Sequence, residues 1–151
     1  MRLTMFTDYG LRVLLVLASR TNTLVTIGDI AAGFDISDAH LMKVAHALGR
    51  TGWVETVRGR NGGMRLATDP RRLRLGAVVR ALEADFALVE CLGENNACAL
   101  AGGCALEHVL TRAQSAFMAE LDRHTLADLV RGSPALAALP LEQVMALRRS
   151  P

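Results

Sequence analysis

The sequence predicts a mainly α fold: a winged helix-turn-helix with a small β-hairpin wing, then a cysteine-bearing loop and a long C-terminal helix. Three observations predict it. Apolar residues recur at helical spacing through successive segments of the chain. One glycine- and arginine-rich stretch, VRGRNGG, breaks that pattern between two short β-prone runs. Hydrophobic residues make up 51% of the chain but aromatics only 4%, so the core is mainly Leu, Val and Ala, a composition that leans helical.

The first helix is expected from about Thr7 to Arg20, with Thr7 as its cap and Asp8 in the first turn, where the helix dipole favours an anion. From Leu11 to Ala18 it is apolar almost all round, so it is expected to need cover on two sides, one from its own core and one from a second subunit. TIGDIAAGFDIS then has the form of a helix and a tight turn. Thr26 caps it with Asp29 three residues on, Ile27, Ile30 and Ala31 face inward, Gly33 ends it and Ile36 anchors the turn.

Ser37 caps a third helix, about Asp38 to Thr51, in which Leu41, Val44, Ala45 and Leu48 form one apolar stripe. The opposite face carries Ala39, Lys43, His46 and Arg50, with His40 at its edge, a set suited to a major groove. Alone, this would equally describe a solvated surface helix. The hairpin that follows decides between the two. Trp53–Val57 and MRLA read as strands, with Arg58, Arg60 and Asn61 in the turn between them and Arg65 on the flank. Gly59, Gly62 and Gly63 allow positive φ and close backbone approach. Counting Arg71, Arg72 and Arg74, six arginines and one acid, Asp69, lie between positions 58 and 74. Helix, turn, helix and basic hairpin in that order form a winged-helix DNA reader, whose wing arginines grip phosphates or enter the minor groove.

The charge distribution agrees. Residues 1–75 hold 11 Lys/Arg against 6 Asp/Glu, whereas residues 76–151 hold 6 against 9, so only the first half suits a polyanion. A helix is expected over Leu75–Leu82, then the cysteine loop, then one long helix from Ala105 to about Val130. Its stripe of Leu106, Leu110, Ala113, Phe117 and Leu121 is more than so small a fold can fully cover, which predicts pairing with a symmetry mate, with packing on the N-terminal helix as the alternative or in addition. A two-fold dimer would present two recognition helices to a palindromic operator in double-stranded DNA. The organisation is therefore 1–75 DNA-binding domain, 76–132 loop and dimerisation helix, and 133–151 a mobile tail containing Pro140 and ending Arg148-Arg149-Ser150-Pro151. No apolar run is long enough for a membrane span, and the N-terminal run is interrupted by Asp8, Gly10 and Arg12, so a cytoplasmic protein is expected. No nucleophile triad, phosphate loop or acid pair suggests an enzyme.

The cysteines are Cys91, Cys98 and Cys104, spaced C-x6-C-x5-C in CLGENNACALAGGC. An odd number in a chain without an export signal argues against a disulfide framework. Zinc sites contain a close C-x2–4-C pair, absent here, and three thiolates leave a tetrahedral site one ligand short. The residues alone indicate a three-thiolate metal or cluster site, with Glu94, Glu107, His108 or the distant Asp8 as a fourth donor, or a metal-free thiol switch. Asp8 is equally readable as a plain first-turn carboxylate or as the partner of Arg12 at i+4.

Four stretches in order, MRLTMFTDYGLRVLLVLA, TIGDIAAGFDIS, VRGRNGGMRLA and the C-x6-C-x5-C loop, resemble the NsrR-type nitric-oxide-sensing repressors. These belong to the iron–sulfur winged-helix regulators that also include IscR. The resemblance covers residues 1 to about 130. It implies a homodimeric repressor carrying a 4Fe-4S cluster (alternatively 2Fe-2S) on Cys91, Cys98 and Cys104, with Asp8 of the partner subunit as fourth ligand. It also implies loss of DNA binding on exposure to nitric oxide and derepression of nitric-oxide detoxification genes. IscR-like members place a histidine three residues beyond the last cysteine. Glu107 stands there, and His108 is turned away by about 100°. The runner-up is a related regulator sensing redox state or iron–sulfur supply; a small electron-transfer protein or a structural-zinc winged helix are more distant readings.

Overall fold

The computed structural model describes residues 2–21, 23–93, 97–100, 103–139 and 141. Its helices are α1 (Met5–Ser19), α2 (Ile27–Phe34), α3 (Asp38–Arg50), α4 (Leu75–Leu82), α5 (Ala105–Arg123) and α6 (Leu126–Gly132). Strands β1 (Val54–Val57) and β2 (Gly63–Leu66) pair antiparallel, Val54 opposite Leu66 and Val57 opposite Gly63. Two short 3-10 turns follow at Glu90–Leu92 and Pro134–Leu136. The mainly helical winged-helix architecture is the expected one.

α1 begins earlier than expected. Its cap is Thr4, whose hydroxyl accepts from the Thr7 N–H at 3.3 Å, while Thr7 itself is fully buried. Val13, Leu14, Val16 and Leu17 are at most 1% exposed within the single chain. The second cover anticipated from another subunit is therefore supplied internally: α3, α4, α6 and β2 all pack against α1. Gly10 makes the α4 approach possible, since a Cβ there would lie 2.3 Å from Leu82 Cδ1.

The Thr26–Asp29 capping box forms as expected, but α2 runs one residue past Gly33 and ends through Asp35 in the left-handed region at φ 54°. Ile30, Ala31 and Ile36 are buried and Ile27 is half-buried against the core. In α3 the stripe Leu41, Val44, Ala45, Leu48 is buried, and Ser37 caps it, with Thr51 standing just outside as the C-cap. β1 starts at Val54 rather than Trp53; the Trp53 carbonyl instead accepts from Ala67 N–H at 2.8 Å. Val25 exchanges two backbone hydrogen bonds with Met64, at 2.9 and 2.7 Å, and so ties the wing to the start of the helix-turn-helix.

The expected single helix from Ala105 to Val130 is two. α5 stops at Arg123, and Thr125 opens α6 with a second capping box to Asp128. The break is held by Leu126 N–H donating to Leu73 carbonyl at 2.8 Å and Leu75 N–H to His124 carbonyl at 3.1 Å. Turning there lets Leu126, fully buried, enter the same core as α1. The segment expected to be a mobile tail begins by folding back: Leu136 and Leu141 are buried, and the turn at Pro134–Leu136 rests on α1. Pro140 and the terminal Arg148-Arg149-Ser150-Pro151 lie outside the described residues.

Candidate nucleic-acid interface and thiol loop

Helix periodicity puts the exposed face of α3 opposite its buried stripe. Ser37, Ala39, His40, Lys43, His46 and Arg50 are all exposed there. His40 is positioned rather than free: its Nδ1 lies 3.0 Å from Ser37 Oγ and its ring centroid 6.3 Å from that of Tyr9 in α1. A cavity of about 120 Å³ lies between the two helices, lined by Met5, Phe6, Tyr9, His40, Lys43 and Val44.

The wing turn closes with Gly62 N–H donating to Gly59 carbonyl at 2.9 Å, so Arg60 and Asn61 form its tip. Gly59 takes φ +111°, and a Cβ on Gly62 would meet the Val57 carbonyl oxygen at 2.2 Å, so neither position tolerates a side chain. The six clustered arginines are not equivalent. Arg65 makes two hydrogen bonds to Glu55, both at 3.1 Å. Arg71 pairs with Asp69 at 2.8 Å, which holds the Asp69 carboxyl below its ordinary range, and Arg74 donates to the Asp122 carbonyl at 2.6 Å. That leaves Arg58, Arg60 and Arg72 without a described ion pair, with Arg58, Arg60 and Asn61 exposed together at the wing tip.

None of the three thiols is in a disulfide, and each is half-buried. Desolvation pushes the Cys91 thiol above its ordinary value, and the charges of Cys98, Glu107 and Cys104 add to the shift. Cys98 and Cys104 thus both lie within electrostatic reach of Cys91. Among the described residues they are not drawn together into a ligating group. As a donor set they fit a thiophilic metal or cluster: soft, unoxidised, accessible, and mutually repulsive when ionised unless a cation lies among them. Glu94 lies outside the described residues. Glu107 is half-buried in the first turn of α5, and His108 is exposed. Asp8 pairs with Arg12 at 2.8 Å, the i+4 contact open to it from the sequence.

Three contacts join these parts, and nothing in the spacing announces any of them. Glu83, at the head of the thiol loop, accepts from the Thr4 N–H at 2.7 Å and from the Thr4 hydroxyl at 3.2 Å, across 79 residues of chain. Arg12 sits 5.4 Å above the Phe34 ring at the end of α2, and Tyr9 meets His40 in α3.

In α5 no residue is buried. The anticipated stripe divides: Leu110, Phe117 and Leu121 are half-buried, Phe117 stacking on Phe86, while Leu106 and Val109 remain 62% and 51% exposed and Ala113 and Ala116 continue their row.

A helix-turn-helix with a basic wing, tied to a loop of three thiols, defines a winged-helix DNA-binding regulator. The comparisons with known proteins agree. Residues 3–132 match the model of the Rrf2 family, described as an iron-dependent transcriptional regulator. The HTH-type transcriptional regulator NsrR of Bacillus licheniformis is 52% identical over 132 residues, covering 86% of this chain and 92% of that protein. NsrR of Bacillus subtilis is 50% identical, covering 87% and 91%. Among solved structures, T. potens IscR superposes with a TM-score of 0.73 at 24% identity, over 89% of this chain and 90% of that one, which bears on the fold alone. The chain belongs to the Rrf2 family, as a DNA-binding transcriptional regulator of the NsrR type. Among the described residues no helix is long and apolar enough to cross a membrane.

Proposed function

We propose that the protein is a cytoplasmic, homodimeric repressor that binds a palindromic operator and releases it in response to nitric oxide. Its cofactor is an iron–sulfur cluster, of the 4Fe-4S type, held by Cys91, Cys98 and Cys104 with Asp8 of the partner subunit. The observation that carries this reading is the set of three half-buried thiols, none in a disulfide, on a loop whose head, Glu83, is hydrogen-bonded to the start of α1. When bound, the cluster supplies iron able to take up nitric oxide at the position of its weakest ligand, a carboxylate beside three thiolates.

The protein's own residues couple that site to DNA. Asp8 has two candidate partners, Arg12 of its own helix and the loop of the other subunit. Whichever it takes sets the charge and position of the first turn of α1. Ser37, Ala39, His40, Lys43, His46 and Arg50 face the major groove, and Arg58, Arg60 and Asn61 meet the backbone or the minor groove. The apolar row Leu106, Val109, Ala113, Ala116 meets its symmetry mate. Derepression of nitric-oxide detoxification genes is the expected output.

The test is protein purified without oxygen, with absorption and operator binding followed together as nitric oxide is added. Bleaching and DNA release in parallel are expected, with neither in a variant lacking any one cysteine. A spectrum indifferent to nitric oxide points instead to redox or iron–sulfur-supply sensing. Protein that stays colourless after reconstitution with iron and sulfide overturns the cofactor assignment.

A further inference from the structure

We propose that Met42 reads thymine methyl groups in the major groove and is thereby a specificity-determining residue of the recognition helix. The proposal deepens the DNA-binding reading of α3 and rests on it.

Met42 is 55% exposed, although its chain neighbour Leu41 is 1% exposed and Val44 is fully buried. A large thioether on the water side does nothing for the isolated fold. Helix propensity gives it no advantage over Lys, Arg or Gln at such a site. It does not close the cavity between α1 and α3 either, which Met5, Phe6, Tyr9, His40, Lys43 and Val44 line without it. Its exposure is explained by a partner that meets this face.

The neighbours indicate what that partner offers. Ala39 lies three residues before Met42 and His46 four after it, so the three are consecutive on the helix surface, with Lys43 alongside. Ala39 and Met42 form a short apolar strip flanked by two nitrogen donors. In the major groove only thymine presents an apolar group, its C5-methyl, while guanine presents the two acceptors a lysine ammonium suits. From Ala39 to His46 the helix rises about 10.5 Å, roughly three base steps. Methionine suits the contact because its unbranched chain can turn to the methyl wherever the helix sets it. The half-site is therefore expected to hold thymine beside a guanine met by Lys43.

The experiment uses the full-length protein, reconstituted with iron and sulfide without oxygen, and a duplex motif enriched by it from a random-sequence pool. Each thymine of that motif is then replaced by deoxyuridine, which removes only the methyl. At one thymine per half-site, wild type should lose about 3- to 10-fold in affinity, the scale of one buried methyl. Met42→Ala should show that same loss on the thymine duplex and no further loss on the deoxyuridine duplex, with an unchanged salt slope and unchanged helix content. The proposal fails if deoxyuridine costs wild type nothing at any position, or if Met42→Ala keeps the full sensitivity. If wild type enriches no motif at all, the DNA-binding reading fails with it; a motif enriched identically by both proteins removes only Met42.

Discussion

Replacing Arg58 and Arg60 together by Ala should flatten the salt dependence of operator binding. Each phosphate contact contributes about 0.9 to the slope of log K against log salt, so the double variant loses about 1.8. Over a fourfold rise in salt, wild type then weakens by about 12-fold more than the variant. These two stand together at the wing tip, and of the other four clustered arginines only Arg72 is without a described ion pair or hydrogen bond. Arg65 is held in two hydrogen bonds by Glu55, Arg71 by Asp69, and Arg74 by the Asp122 carbonyl. Arg65→Ala is the control: it leaves Glu55 without its partner and lowers affinity, but removes no phosphate contact, so its slope stays that of wild type. Fluorescence anisotropy on a labelled operator at several salt concentrations measures all three proteins. An unchanged slope in the double variant, or an equal loss in Arg65→Ala, would refute the division of the arginines into gripping and structural groups.

Thr26→Ala should destabilise the helix-turn-helix by about 2 kcal/mol, since it removes a cap and a hydrogen bond to a carboxylate. Asp29 is fully buried and its Oδ1 already has no partner among the described residues, so the loss should show in denaturant unfolding and exceed that of Ser37→Ala at its exposed cap. Leu106→Glu with Val109→Glu should convert the proposed dimer to monomer in sedimentation while far-ultraviolet circular dichroism stays the same, because neither side chain is buried within the chain; a persisting dimer places the interface elsewhere. Asp128 has its carboxyl lowered from 3.8 to about 2, first by the Thr125 hydroxyl and backbone and then by Arg131. A depressed carboxyl stabilises the fold above its unfolded value and ceases to as pH falls through its folded one. The stability difference between wild type and Asp128→Asn should therefore shrink as pH falls from 3.8 to about 2, and a constant difference would show that the capping box does not depend on the charge.

What was legible in the sequence was local. The Thr26–Asp29 box, the α3 stripe and the glycines of the wing each sit within a few residues of what they determine, and each appears as expected. The break at His124 was signalled in the same way, by Thr125 three residues before Asp128. Apolar residues continuing at helical spacing on both sides hid it, because periodicity alone does not distinguish one helix from two in phase. The cover on α1 was not legible: an all-round apolar helix states how much must be buried but not by which element. The same holds for the candidate site. The cysteines and exposed α3 residues are visible as types and spacings, whereas Glu83 meeting Thr4, or Arg12 meeting Phe34, depends on packing across the chain.

Those long-range contacts are what make a regulator of so small a fold plausible on physical grounds. Thr4, Asp8, Tyr9 and Arg12 occupy the cap and first turns of α1, spanning about 12 Å of helix rise. Within that span one residue holds the thiol loop through Glu83, two meet the two helices of the DNA reader, and Asp8 pairs with Arg12. Beyond these turns α1 is sealed into the core at Val13 and Leu14, so a displacement of its first turns is not dissipated along the helix. A tight core transmits strain rather than absorbing it. Moving α3 by a fraction of an ångström at each of two half-sites then puts several base contacts at stake, each worth about 1–3 kcal/mol. Under the proposed function, a change of partner at Asp8 is thus large enough, and near enough, to decide whether the operator is held.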